Sequence, residues 1–321
     1  MRRREFILAM AAAALGRAVN AADPYPAKPI RWLVGFAAGG ASDVVVRLVA
    51  EGMQKELGVP LIVDNRPGAS GNLAAAALVQ APADGYTILH GESSVLYTNE
   101  HLSKVAYSPE KDFTYIGAIG RAPFTLVVNP RLGIETLKGF VEHAKANPGK
   151  VNYGTPGVGS PQRIAMELFQ QEYGFKLTHV PYKGGAAALV DVRGGQIESM
   201  MVDLGVSLPY IRDGGVRALA VYAAERLASI PAVPTFSELG FGSVSAFILH
   251  GVVGPGGMPR PVVQRLNAAL HAAVQSPKVI RVFAENGVRA EPGTPEDFER
   301  FVQRERSRVG SIIGSAGIKA D

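Results

Sequence analysis

Tyr25-Pro26-Ala27-Lys28-Pro29-Ile30-Arg31-Trp32-Leu33-Val34-Gly35-Phe36-Ala37-Ala38-Gly39-Gly40-Ala41-Ser42-Asp43 reads as a strand, a glycine turn and a helix start. Residues 30–36 form a short apolar run of strand type. Gly39 and Gly40 permit a tight turn with positive φ. Ser42 or Asp43 can cap the helix that follows, whose apolar stripe is Val45, Val49, Met53 and Leu57. A unit of this kind aims unpaired backbone N–H groups at a small anion.

The same unit recurs along the chain. A strand-like run at 59–64 leads into a second glycine loop, Asn65-Arg66-Pro67-Gly68-Ala69-Ser70-Gly71-Asn72, and an alanine-rich helix over 73–80. A strand at 86–90 ends in Gly91-Glu92-Ser93-Ser94. Further strands are predicted at 124–128, 151–153, 200–203, 217–222 and 246–253, with helices at 137–146, 261–275, 279–286 and 295–310. The third glycine loop runs from Gly154 to Pro161, where Ser160 suits an N-cap and Pro161 the first helical position. Repeated strand–helix units imply α/β architecture with parallel sheets flanked by helices. In such sheets ligands sit at the carboxyl ends of strands, and all three glycine loops fall there.

The chain has 321 residues, enough for two domains of ordinary size. Its formal charge of +5 comes from 33 basic and 28 acidic residues. Residues 1–21 hold Arg2, Arg3, Arg4 and Arg17 against Glu5, so the remainder carries 29 basic and 27 acidic residues. That dispersed, nearly balanced charge argues against a nucleic-acid partner. The chain has no cysteine, which excludes disulfides and thiol chemistry. Arg2–Arg4, a short apolar stretch over 6–15 and Val19-Asn20-Ala21 read as a cleaved export signal. Arg3-Arg4-Glu5-Phe6 resembles a twin-arginine signal, and the general secretory route fits as well. The expected location is the periplasm.

Other chemistries lack their residues. Gly154–Pro161 has no P-loop lysine, and Gly39-Gly40 lacks the dinucleotide spacing, so no nucleotide cofactor is expected. His90, His101, His143, His179, His250 and His271 form no close pair, so no metal is expected. No G-x-S-x-G occurs and no catalytic residue is assigned. Ser42, Ser70, Ser93, Thr155 and Ser160 are candidate hydroxyl donors to a ligand, or caps and turn residues. Asp43 suits bracing of its own loop, Lys183 could attract an anion, and Asp203 could accept from a ligand amine or tie its strand end.

These motifs together resemble the extracytoplasmic solute receptors of the tripartite tricarboxylate transporter family, the Bug proteins. The resemblance is carried by the opening stretch through Asp43, by Asn65–Asn72, and by Pro82-Ala83-Asp84-Gly85-Tyr86-Thr87-Ile88. It continues in Tyr153–Ser160, Val180-Pro181-Tyr182-Lys183-Gly184-Gly185 and Gly254-Pro255-x-Gly257-x-Pro259, and departs at Arg163, where the family often has histidine. It implies a two-lobed periplasmic binding protein of type II-like build, acting as a monomer. Each lobe would be a sheet flanked by helices, and the pair would close on a small carboxylate. Residues 22–122 and 246–321 would form lobe I and residues 123–245 an inserted lobe II. The hinge crossings would lie at 122–125 and 246–249. The implied ligand site comprises Phe36, Ala37, Gly39, Gly40, Ser42, Asp43, Ser70, Gly71, Asn72, Ser93, Thr155, Pro156, Gly157, Ser160, Tyr182, Lys183, Gly184 and Asp203. The implied ligand is a mono-, di- or tricarboxylate, an amino acid or an aromatic acid. The implied partners are membrane permease subunits. A periplasmic ligand sensor and a periplasmic enzyme on the same scaffold are the alternatives.

Overall fold

The computed structural model describes residues 25–241 and 246–318, so the export-signal reading of residues 1–21 lies outside the described residues. The strands are β1 Ile30–Val34, β2 Leu61–Asn65, β3 Thr87–Glu92, β4 Phe113–Val128, β5 Asn152–Thr155, β6 Thr178–Pro181, β7 Ser199–Asp203, β8 Arg217–Val221, β9 Phe247–Pro255 and β10 Arg289–Ala290. The longer helices are α1 Ala41–Leu57, α2 Asn72–Val79, α3 Leu137–Ala146, α4 Pro161–Tyr173, α5 Gly185–Gly194, α6 Leu204–Arg212, α7 Arg260–Val274, α8 Pro277–Glu285 and α9 Pro295–Ala316. No helix among the described residues is long and apolar enough to cross a membrane.

The strands run β2-β1-β3-β9-β4-β7-β5-β6, with β8 and β10 also on β4. β4 belongs to two sheets. Its first part, through Pro123, pairs antiparallel with β9. From Phe124 onward it pairs with β7 and β8 instead. The lobes are therefore two helix-flanked α/β sheets strung on one long strand. The expected parallel pairing holds for β1 with β2 and β3, and for β5 with β6 and β7. β9 and β4 run the other way, so both sheets are mixed.

Residues 113–123 carry no strand signal in the sequence because Gly117, Ala118, Gly120 and Ala122 dilute the apolar pattern. Close packing explains the small residues. A side chain at Gly117 would start 2.8 Å from the Asn267 amide on α7.

α1 forms because its apolar stripe has somewhere to go. Val45, Val46, Val49, Met53 and Leu57 are buried in one cluster with Trp32 of β1 and Leu266, Leu270 and Val274 of α7. Each such side chain contributes about 1.5–3 kcal/mol on full burial. The helix stops at Gly58, which takes the left-handed conformation and donates its N–H to Gln54 O. In the second lobe Phe169 of α4 packs edge-on against Phe175 and Phe236. These two cores hold the strand ends, and the loops that leave them, in fixed places.

Candidate ligand site

The turn after β1 is fixed from both sides. A side chain at Gly35 would start 2.5 Å from Gly71 Cα, so the backbones of the first two glycine loops touch. Gly39 has φ +78°. Its N–H donates to Asp43 Oδ2 at 2.9 Å, and the Gly40 N–H donates to Ala37 O at 3.3 Å. The two glycine N–H groups expected to face an anion are thus spent on the turn itself. What the turn frees is the start of α1. Its N-cap is Gly40, which has no side chain to bond the N–H groups of the first turn.

The second lobe repeats the device. α5 starts after Gly184 and also has no side-chain cap. α6 starts after Asp203, whose side chain does not cap it. α4 is capped by Ser160 Oγ, which accepts the Arg163 N–H at 3.3 Å. All four starts reach one cavity of about 160 Å³, through Gly40, Ala41 and Ser42, through Gly184, Gly185 and Ala186, through Asp203, and through Gln162. Its lining contains no lysine or arginine. Each helix start carries roughly half a positive charge, so the cavity favours an anion without a cationic side chain. A larger cavity of about 870 Å³ shares Phe36, Ala37 and Pro156 with it.

The predicted site residues divide into three groups. Phe36, Ala37, Gly39, Gly40, Ser42, Pro156, Gly184 and Asp203 line the smaller cavity. Ser70, Asn72, Gly157, Tyr182 and Lys183 line the larger one. The others stand behind the walls. Asp43 accepts from Gly39, Arg47 and Asn65. Burial works against its carboxylate, but these donors hold its pKa below the usual value. Gly71 backs onto Gly35. Ser93 Oγ accepts from Tyr97 and from the Leu249 N–H, tying β9 to β3. Thr155 Oγ1 bonds Gly157 O and His179. Arg163 donates to Val158 O at 3.4 Å and does not line the smaller cavity.

Sequence reasoning missed Glu92, Gln162, Gly185 and Ala186 as lining residues. Glu92 had one signal. It is an acid at the carboxyl end of an apolar strand, where the other ligand loops begin. Glu92 is buried and its Oε2 accepts the Ser42 hydroxyl at 2.8 Å, so that hydroxyl proton is already committed. Burial pushes the Glu92 carboxyl up to about 8; the Ser42 hydroxyl opposes the rise and Asp203 adds to it. Burial pushes Asp203 up to about 6, against its own backbone N–H and Gln162. His250 lies opposite Glu92 across the β3–β9 pair, and its ring is 3.0 Å from that of His90. Burial lowers both imidazoles, His250 to about 4, so they stay neutral.

A raised carboxyl stabilises the fold fully below its ordinary pKa and loses that contribution as pH rises through about 8. The histidines act in the opposite direction, losing stability as pH falls below about 6.5. Glu92→Gln is therefore expected to raise the melting temperature relative to the parent at pH 9 and to change it little at pH 5. The gap should exceed the roughly 1.4 kcal/mol that one pKa unit represents. Equal effects at both pH values would show that Glu92 is not held protonated.

Comparison with known proteins gives the family and the fold. Residues 45–318 match the profile of the tripartite tricarboxylate transporter family receptor. Protein BugT of Bordetella pertussis is 34% identical over 300 residues, covering 93% of this chain and 92% of that protein. The structure of Rpa4515 from R. palustris with adipate superposes with a TM-score of 0.88 at 32% identity, over 92% of this chain and all of that one. MatC from Rhodopseudomonas palustris with bound malate gives a TM-score of 0.85 at 30% identity, over 90% of this chain and all of that one. With residues 45–318 matched by the family profile and a relative 34% identical over 93% of the chain, this protein belongs to the receptors of the tripartite tricarboxylate transporter family.

Proposed function

We propose that this protein is a periplasmic receptor that captures a small carboxylate by closing its lobes and delivers it to a tripartite-type membrane permease. The observation that carries the reading is the meeting of uncapped helix starts from both lobes, α1 and α5, at one cavity without basic side chains. Oriented N–H groups from each side hold a carboxylate only when the lobes come together, which couples binding to closure. The hinge would be the two places where the chain passes between sheets, near Pro123-Phe124 in β4 and at 246–249 entering β9. On this reading residues 22–122 and 246–321 would form lobe I and residues 123–245 lobe II. The adipate and malate held by the two neighbours point to the same class of ligand. The work is binding, with no covalent step.

A melting-temperature screen of mono-, di- and tricarboxylates, amino acids and aromatic acids tests this. A ligand at a hundred times its dissociation constant should stabilise the protein by about 2.7 kcal/mol. At least one carboxylate is expected to do so, and ATP and NAD are not. A shift with a nucleotide and none with any carboxylate would overturn the reading.

A further inference from the structure

We propose that the ligand carries an ammonium group next to its carboxylate, and that Asp203 and Gln162 select for it. This rests on the carboxylate reading above and narrows it to amino-carboxylates.

Two polar side chains in the cavity lining, Gln162 and Asp203, present acceptors without donors. Gln162 is 2% exposed and donates its amide N–H to Asp203 Oδ2 at 3.3 Å. That bond fixes the amide orientation, because the reverse would set two oxygens together. Gln162 Oε1 and Asp203 Oδ1, both buried, accept no hydrogen bond among the described residues. Glu92 lines the same cavity, its Oε2 already engaged by Ser42.

Buried acceptors without donors are costly. The lining offers no lysine or arginine to satisfy them, so the missing donors fit the occupant. A carboxylate alone would bring more acceptors to this pair, and its charge would oppose Asp203. An ammonium has three N–H donors and no acceptor. Two unpartnered acceptors and an anion-favouring set of helix starts, lining one small cavity, match an amine and a carboxylate on neighbouring carbons.

The test pairs every carboxylate that shifts the melting temperature with its 2-amino and 2-hydroxy counterparts, such as succinate, aspartate and malate, by calorimetric titration. The amino member is expected to bind about tenfold tighter or more than the unsubstituted one, and tighter than the hydroxy one. Asp203→Asn, nearly isosteric, should reduce the amino-to-unsubstituted ratio by about tenfold. Gln162→Met, which removes the unpartnered amide oxygen at similar bulk, should reduce it in the same direction. A purely structural role for these residues would weaken all members alike and leave the ratio unchanged. Unsubstituted or hydroxy acids binding as tightly as the amino acid, or an unchanged ratio in both variants, would overturn the proposal while leaving the carboxylate reading intact. No binding by any carboxylate, with the protein folded by circular dichroism, would overturn both.

Discussion

Ala186→Glu is expected to lower carboxylate affinity on the order of a thousandfold while leaving the protein at least as stable as the parent. Ala186 is the second residue of α5 and lines the cavity. A glutamate there complements the helix start, which has no side-chain cap of its own. Its carboxylate would occupy the place proposed for the ligand's. Two like charges about 4 Å apart at an effective dielectric near 20 repel by about 4 kcal/mol. That is about three decades in dissociation constant. Ala186→Gln adds similar bulk without charge and separates filling from repulsion. Calorimetric titration that finds the Glu variant within about tenfold of the Gln variant would show that no anion binds at this helix start.

Asp43→Ala is expected to cost about 2–4 kcal/mol of stability and to weaken binding through the turn. Three donors end on this buried carboxylate: the Gly39 N–H at 2.9 Å, Arg47 Nε at 2.9 Å and Asn65 Nδ2 at 2.9 Å. Hydrogen bonds to charged groups are worth about 1.5–3 kcal/mol each, part of which is recovered by no longer burying the charge. Asn65 also donates to Phe36 O, so its release loosens the turn that precedes α1. The loss should appear as a lower urea midpoint with an unchanged slope. Because the Asp43 carboxyl is depressed, the parent's advantage should be present above about pH 4 and vanish as pH falls through the folded value. A midpoint equal to the parent's at pH 7 would mean that Asp43 does not brace the turn.

Local signals in the sequence were sufficient for the strand–turn–helix at 30–57 and for the loops after β2 and β5. Apolar runs, glycines and caps act over a few residues, and the structure places each near where it was read. The first half of β4 was not legible. Its small residues exist for contacts with α7 and β10, some 150 residues away, and nothing within 113–123 announces them. The antiparallel return of β9 was hidden for the same reason, since pairing direction depends on chain path rather than on local pattern. At the proposed site, the sequence pointed to this turn but not to how its own N–H groups are used. Gly39 and Gly40 shape the loop with their own N–H groups, and the unoccupied donors begin at the helix they precede. Glu92 and Gln162 escaped notice because each reads as an ordinary strand end or first-turn residue until the other lobe is set beside it.

The most direct measurement is a crystal structure of the protein with the carboxylate that most raises its melting temperature. The expected result is a carboxylate within hydrogen-bond distance of backbone N–H groups at the start of α1, from Ala41 to Asp43, and at the start of α5, from Gly185 to Ala187. A carboxylate held by Lys183 in the larger cavity, with both helix starts facing solvent, would contradict it.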